Sequence, residues 1–219
     1  MSFILALSLA AAAPAPPPQT RDQPTCAAAE RRASADPAAA LTAARCYDYG
    51  EGAPRDRTRA AALYRRAADA GNAEAQWRLG VMLDLGEGVA ADPAAALVLF
   101  ERAARQGNSS AFISIGVMYS NGRGVAVDHD RAYAAYLEAA RRGSAEAFWH
   151  IGVMHHQGEG RTVDRAEGIA WVLVSAQRGS SRGRAFAEQL GRMDDALSPA
   201  AAEQVARRAE AISRQYPPR

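Results

Sequence analysis

The sequence predicts an all-α protein: an α-solenoid of stacked αα-hairpins with capping helices at both ends. Three observations predict it. Short motifs recur at a fixed period of 36 residues. Each period carries two helix starts and two helix stops. Alanine, the best helix former, dominates a composition that is 48% hydrophobic and 23% charged.

The period is visible in many independent columns. Gly50-Glu51-Gly52, Gly86-Glu87-Gly88, Gly122-Arg123-Gly124 and Gly158-Glu159-Gly160 repeat in register. So do Asp56, Asp92, Asp128 and Asp164, and Gly71, Gly107, Gly143 and Gly179. Gly80, Gly116 and Gly152 form a further column, as do Met82, Met118 and Met154. Self-similarity at such a period is the signature of a repeat architecture.

Taken in order, residues 1–12 read as a secretory signal peptide. The apolar run Phe3 to Ala13 is shorter than the ~20 residues that span a bilayer. It carries no charge before Arg21, and Ala10-x-Ala12 suits cleavage after Ala12. The alternative is an uncleaved apolar anchor. Residues 13–24 include PAPPPQTRDQP, a proline-rich linker. Residues 25–35 have the register of a second helix and form an N-terminal capping half-repeat. Cys26 and Cys46 lie 20 residues apart. In an oxidising compartment such a pair forms a disulfide; elsewhere the two are small buried residues in alanine-rich helices.

Four units follow, at 36–71, 72–107, 108–143 and 144–179. In the second, Asn72 caps a helix from Ala73 to Leu85 whose Ala75, Leu79, Met82 and Leu83 share a face. Gly86 and Gly88 end it. Asp92 caps the second helix with Pro93 at its first position, and Ala96, Leu99, Phe100, Ala103 and Ala104 form the inner stripe. Mid-helix Gly80, Gly116 and Gly152 each cost about 1 kcal/mol against alanine, so their recurrence predicts close approach of the paired helix. Tyr64, Phe100 and Tyr136 are expected to fill space between neighbours. One hairpin cannot bury its apolar face alone, so the units must stack. Residues 180–219 read as a C-terminal cap: Gly179 to Gly183 as a linker, Arg184 to Met193 as a last first-helix, and an amphipathic closing helix opened by Ser198-Pro199.

These residues resemble the Sel-one-like repeat family of tetratricopeptide-like hairpins. The second unit carries the pattern most fully, as Ala75, Leu79-Gly80, Leu83, Gly86, Gly88-Val89, Asp92, Ala96, Phe100, Ala103-Ala104 and Gly107-Asn108. Unit one departs with Ala44 at the mid-helix glycine, unit two with Leu83 at the family tyrosine, and unit four with His155 at that tyrosine and Val172 at the aromatic. The resemblance implies a right-handed superhelix, a concave face lined by the first helices, and a role as an adaptor, in some bacterial members as a periplasmic regulator.

Composition excludes several chemistries. The 26 basic residues are all arginine, so no Schiff-base lysine, Ser–Lys dyad or P-loop lysine exists. A net charge of +2 gives no general pull toward nucleic acid. His129, His150, His155 and His156 lack the i, i+4 spacing of a helical metal site. No Gly-x-Ser-x-Gly or Cys-x-x-Cys occurs. The arginine pairs Arg65-Arg66, Arg141-Arg142 and Arg207-Arg208 read as solvated faces. No cofactor, metal or catalytic group is expected.

What remains is the repeat surface. Columns that hold one residue type serve packing, whereas columns that vary are free for recognition. On the first helices the varying positions are Arg78, Ser114 and His150; Asp84, Ser120 and His156; and Leu85, Asn121 and Gln157, with Trp77, Ile113 and Trp149 in a column away from the core stripe. The expectation is a monomeric, non-enzymatic, periplasmic or secreted scaffold that binds a protein or peptide on these residues. It is not expected to bind nucleic acid or to stay inserted in a membrane after signal cleavage. Two alternatives stand beside it: a hydrolase or binder acting on β-lactam or cell-wall compounds, as discussed for secreted relatives, and a structural subunit of an envelope complex.

Overall fold

A computed structural model describes residues 25–192 and 198–218. The predicted signal peptide and proline-rich linker lie outside the described residues. The helices are α1 (Cys26–Arg32), α2 (Pro37–Tyr49), α3 (Arg57–Asp69), α4 (Ala73–Leu85), α5 (Pro93–Arg105), α6 (Ser109–Asn121), α7 (His129–Arg141), α8 (Ala145–Gln157), α9 (Arg165–Gln177), α10 (Ser181–Arg192) and α11 (Pro199–Gln215). No strand occurs among the described residues.

The boundaries follow the capping chemistry. Asn72 Oδ1 accepts from the Ala75 amide at 2.9 Å, and Asp92 Oδ1 accepts from the Ala95 amide at 2.9 Å. Asn108 and Asp128 repeat the device one unit later. The first helix of each unit ends on a glycine in the left-handed region, as at Gly86 with φ 72°. The second glycine of the turn answers to a neighbour. A methyl group at Gly88 would stand 2.5 Å from the Arg57 carbonyl oxygen, and one at Gly124 would stand 2.7 Å from the Pro93 carbonyl carbon. The turn therefore rests on the start of the preceding unit's second helix.

Helices α2 and α3, α4 and α5, α6 and α7, and α8 and α9 pack as hairpins. Each second helix then packs against the next first helix, α3 on α4, α5 on α6, α7 on α8 and α9 on α10. First helices also touch one unit apart, α4 with α6 and α8 with α10; successive second helices among the described residues make no comparable contact. The stack therefore bends toward its first helices, and these line the inner side.

The core is one continuous seam. Phe112 and Tyr119 pack against both the buried cluster of the first half and that of the second. Mid-helix glycines are contact points, as the register predicts: Gly80 faces Phe100, Gly116 faces Tyr136 and Gly152 faces Val172. The aromatic column thus fills space inside each hairpin, and Tyr136 also reaches the next unit by stacking on His150. The fourth unit accommodates Val172 by bringing Gly168 of α9 against Gly152 and His156 of α8.

At the two ends the structure departs from the sequence reading in one respect, residues 179–183. Cys26 and Cys46 are joined in a disulfide, Cα atoms 5.8 Å apart, which ties α1 to α2. Glu30 of α1 accepts from Tyr47 at 2.7 Å and pairs with Arg59 at 2.5 Å. Residues 179–183 are not a linker. Helix α10 begins at Ser181, and Gly183 is buried where a side chain would meet the Ala176 amide at 2.6 Å. The closing helix does not continue the stack beyond α10. Helix α11 turns back onto α9, with Arg208 bound to Asp164 at 2.7 Å and Tyr216 against Phe148 and Trp171. Burying Val205, Ala209, Ile212 and Tyr216 there covers an apolar face that would otherwise meet water.

Candidate binding surface

The inner face is built from residues one and two turns apart on successive first helices. Ile113, Val117, Ser120 and Asn121 of α6, Trp149, His150 and Val153 of α8, and Arg182 of α10 surround a cleft of about 520 Å3. Tyr136, Met154 and Glu159 complete it. Of the residues in the columns singled out in the sequence, Ile113, Ser120, Asn121, Trp149 and His150 meet here.

His150 is the centre of this cleft. Its ring stacks on Tyr136 at 4.5 Å with the planes 6° apart, and Trp149 meets it edge-on at 4.9 Å. Among the described residues it has no hydrogen-bond partner. Burial pushes its pKa down to about 4, and the Arg182 charge acts in the same direction, so the ring is neutral at pH 7. A neutral imidazole offers one donor and one acceptor. With its pKa so lowered it is a weak base. Arg182 lies over the Trp149 ring at 4.9 Å.

A second cluster stands two units earlier. Trp77 Nε1 donates to Ser114 Oγ at 3.1 Å, and Arg78 lies over Trp77 at 4.5 Å and Tyr49 at 5.2 Å. Both tryptophans are half-buried, and each bridges to the next first helix, Trp77 to Ser114 and Trp149 to Arg182. Leu85, Asn121 and Gln157 are exposed at the ends of their helices, Leu85 at 53%.

Two residues chosen for recognition are spoken for. Asp84 is paired with Arg123 at 3.0 Å and also accepts that guanidinium on its carbonyl at 2.8 Å. His156 faces α9 and α10 rather than the cleft: its ring meets Phe186 edge-on at 6.0 Å, and its backbone lies where a side chain on Gly168 would fall.

Sequence reasoning missed Arg182, Val117 and Val153. Arg182 stands in the column of Glu74, Ser110 and Glu146, one unit on, and was hidden by reading 179–183 as a linker. Val81, Val117 and Val153 form a constant column, which implied packing; their position one turn from the tryptophan column was the overlooked signal.

Comparisons with known proteins agree with this architecture. The Sel1 repeat description matches residues 37–72, 73–108, 113–144 and 145–180. A Sel1 repeat protein from Oxalobacter formigenes superimposes with a TM-score of 0.69 at 29% identity, over 82% of this chain and 73% of that one. A Pseudomonas aeruginosa protein, 5086, gives a TM-score of 0.51 at 22% identity, over 87% of this chain and 72% of its own, and shows the fold alone. Among curated proteins none matches the chain. Four matched repeats spanning well over half of the sequence, in register with the helix pairs, make this chain a member of the Sel1 repeat family.

Proposed function

We propose that the protein is a non-enzymatic, exported scaffold whose first-helix face binds a segment of another protein or a peptide. The observation that carries this is the cleft between α6, α8 and α10. It joins a half-buried tryptophan, an unbonded neutral histidine and an exposed arginine over an apolar floor of Ile113, Val117 and Val153. Tryptophan and arginine are residue types enriched at binding hot spots. The stacked helices hold the surface in shape beforehand, so little ordering entropy is lost on binding. Export is supported by the signal-like N-terminal sequence and by the Cys26–Cys46 disulfide, which belongs to an oxidising compartment. Action as a monomer, and a role in envelope signalling, are finer readings of the same proposal.

The test is site-specific photocrosslinking in the native cell from Asn121 and Gln157, with Val98 on a second helix as the outer-face control. A defined partner captured from the inner positions alone, and lost in folded Trp149→Ala/His150→Ala, is the expected result. Capture from Val98 alone, or capture unchanged by the double substitution, rejects this face.

A further inference from the structure

The solenoid has two edges of opposite electrostatic character. Because successive helices are antiparallel, α1, α3 and α5 all end on one edge, and α2, α4 and α6 end on the other. The last turns of α2, α4 and α6 carry no basic residue. Those of α1, α3 and α5 carry Arg31, Arg32, Arg66, Arg102 and Arg105, with Arg65 beside them; Arg32 is paired with Asp36. Attraction of arginine to helix C-termini therefore does not explain the pattern, since both edges present C-termini and only one is basic.

The arginines also differ in how they are paired. On the turn edge Arg57 is paired with Glu87 at 2.6 Å, Arg123 with Asp84 at 3.0 Å and Arg161 with Asp130 at 3.4 Å. On the basic edge Arg31, Arg65, Arg102 and Arg105 are exposed and unpaired, and Arg66 donates only to the Ser34 carbonyl at 3.3 Å. Glu30 of the same edge is neutralised by Arg59 and Arg32 by Asp36, so Asp69 and Glu101 are the carboxylates left beside the other five arginines, an excess of three positive charges.

The edge is also rigid. Gln106 donates to Gln76 at 2.8 Å and Gln76 donates to the Ala68 carbonyl at 3.2 Å, which ties the ends of α3 and α5 together. The disulfide holds α1, and with it Arg31, against the same stack.

We infer that this edge is an electrostatic docking surface for an anionic phospholipid bilayer, oriented so that the inner face of the solenoid stays open to its partner. A lipid surface is favoured over nucleic acid because the disulfide belongs to an oxidising compartment, outside the cytosol where nucleic acid resides, whereas such a compartment is bounded by membrane. Guanidinium groups bind phosphate by paired N–H donors, and none of these five is already committed to a carboxylate. Each basic side chain at an anionic surface strengthens binding by roughly fivefold.

The experiment uses the purified full chain and sedimentation with vesicles containing phosphatidylglycerol, against vesicles of pure phosphatidylcholine, at low and high salt. The key variant is Arg65→Gln/Arg102→Gln/Arg105→Gln, whose side chains make no contact that folding needs. Arg165→Gln/Arg207→Gln/Arg214→Gln removes the same charge elsewhere. The expected result is preferential binding of the parent to the anionic vesicles, weakened about a hundredfold in the first variant, retained in the second, and suppressed by salt. Equal binding to both vesicle types, or equal loss in the two variants, overturns the inference. Binding to double-stranded DNA but not to vesicles overturns the lipid assignment.

Discussion

Gly116 of α6 lies against the ring of Tyr136 of α7: a methyl group at residue 116 would stand 2.7 Å from both Cδ1 and Cζ of that ring. The ring has nowhere to go, since its own residue is 1% exposed and it stacks on His150 at 4.5 Å. Gly116→Ala therefore overpacks the hairpin. Alanine recovers about 1 kcal/mol of helix propensity, but overpacking a rigid site costs typically 1–3 kcal/mol or more. We expect a net loss of about 1–2 kcal/mol by denaturant unfolding, partly restored in Gly116→Ala/Tyr136→Leu. A Gly116→Ala protein as stable as the parent would sink the close-approach explanation of the glycine column.

The disulfide has a local role. Helix α1 spans seven residues, too short to persist without tertiary support. Ala29 and Ala33 are its buried anchors on α2, along with the Glu30 contacts. Cross-linking a loop of this length is worth about 3 kcal/mol in the chain-entropy model. Reduction, or Cys26→Ser/Cys46→Ser, is expected to lower the melting temperature and to raise amide exchange in α1 before the rest. Unchanged exchange in α1 after reduction would show that packing alone secures the cap.

Acid should weaken the fold through His150. Its pKa is about 4 when folded and about 6.5 when unfolded, so the unfolded chain binds the proton more readily. The stability associated with the neutral ring is complete above pH 6.5 and is lost as pH falls toward 4, by at most about 3 kcal/mol. His155 is shifted down as well, again chiefly by burial, and contributes with the same sign. Glu30 and Asp164, held below the usual carboxylate range by hydrogen bonds, lose their contributions only at lower pH. In His150→Phe, which keeps the stack on Tyr136, the slope of stability between pH 6.5 and 4 should flatten. An unchanged slope would place the acid sensitivity elsewhere.

Much of this architecture is legible in the sequence, because capping and turn chemistry are local. Asn72, Asp92 and Gly86 act within one turn of their own position, so their recurrence predicts the helix boundaries. The mid-helix glycines are legible for another reason: an unfavourable residue retained in register implies a partner. What fails is non-local. That Asp84 is neutralised by Arg123, 39 residues on, depends on how one turn lies over the previous helix. That Arg182 stands over Trp149 depends on where α10 starts, and a Gly-Ser-Ser-Arg-Gly string reads as a loop although it opens a helix. His150 and His156 are equally variable in the sequence, yet one faces the cleft and the other faces α9.

Least legible is the destination of α11, whose amphipathic pattern says that it packs but not on what. It lies on α9, where Tyr216 is 6% exposed beside Trp171 at 4%. Arg208 bridges Asp164 and Glu167, and Arg178 donates to the Tyr216 carbonyl. Removing the Tyr216 side chain opens a cavity beneath the helix end and exposes the indole of Trp171, while Arg208→Ala removes half-exposed ion pairs worth about 1 kcal/mol or less. Tyr216→Ala should therefore cost more, on the order of 2–4 kcal/mol at this site, and should red-shift tryptophan emission and increase its quenching by acrylamide. The inner face, on the opposite side of the stack, should keep its partner in both variants. Emission unchanged in Tyr216→Ala would mean that α11 does not cover Trp171 in solution. Loss of partner binding in both would mean that the outer helix and the cleft act as one unit.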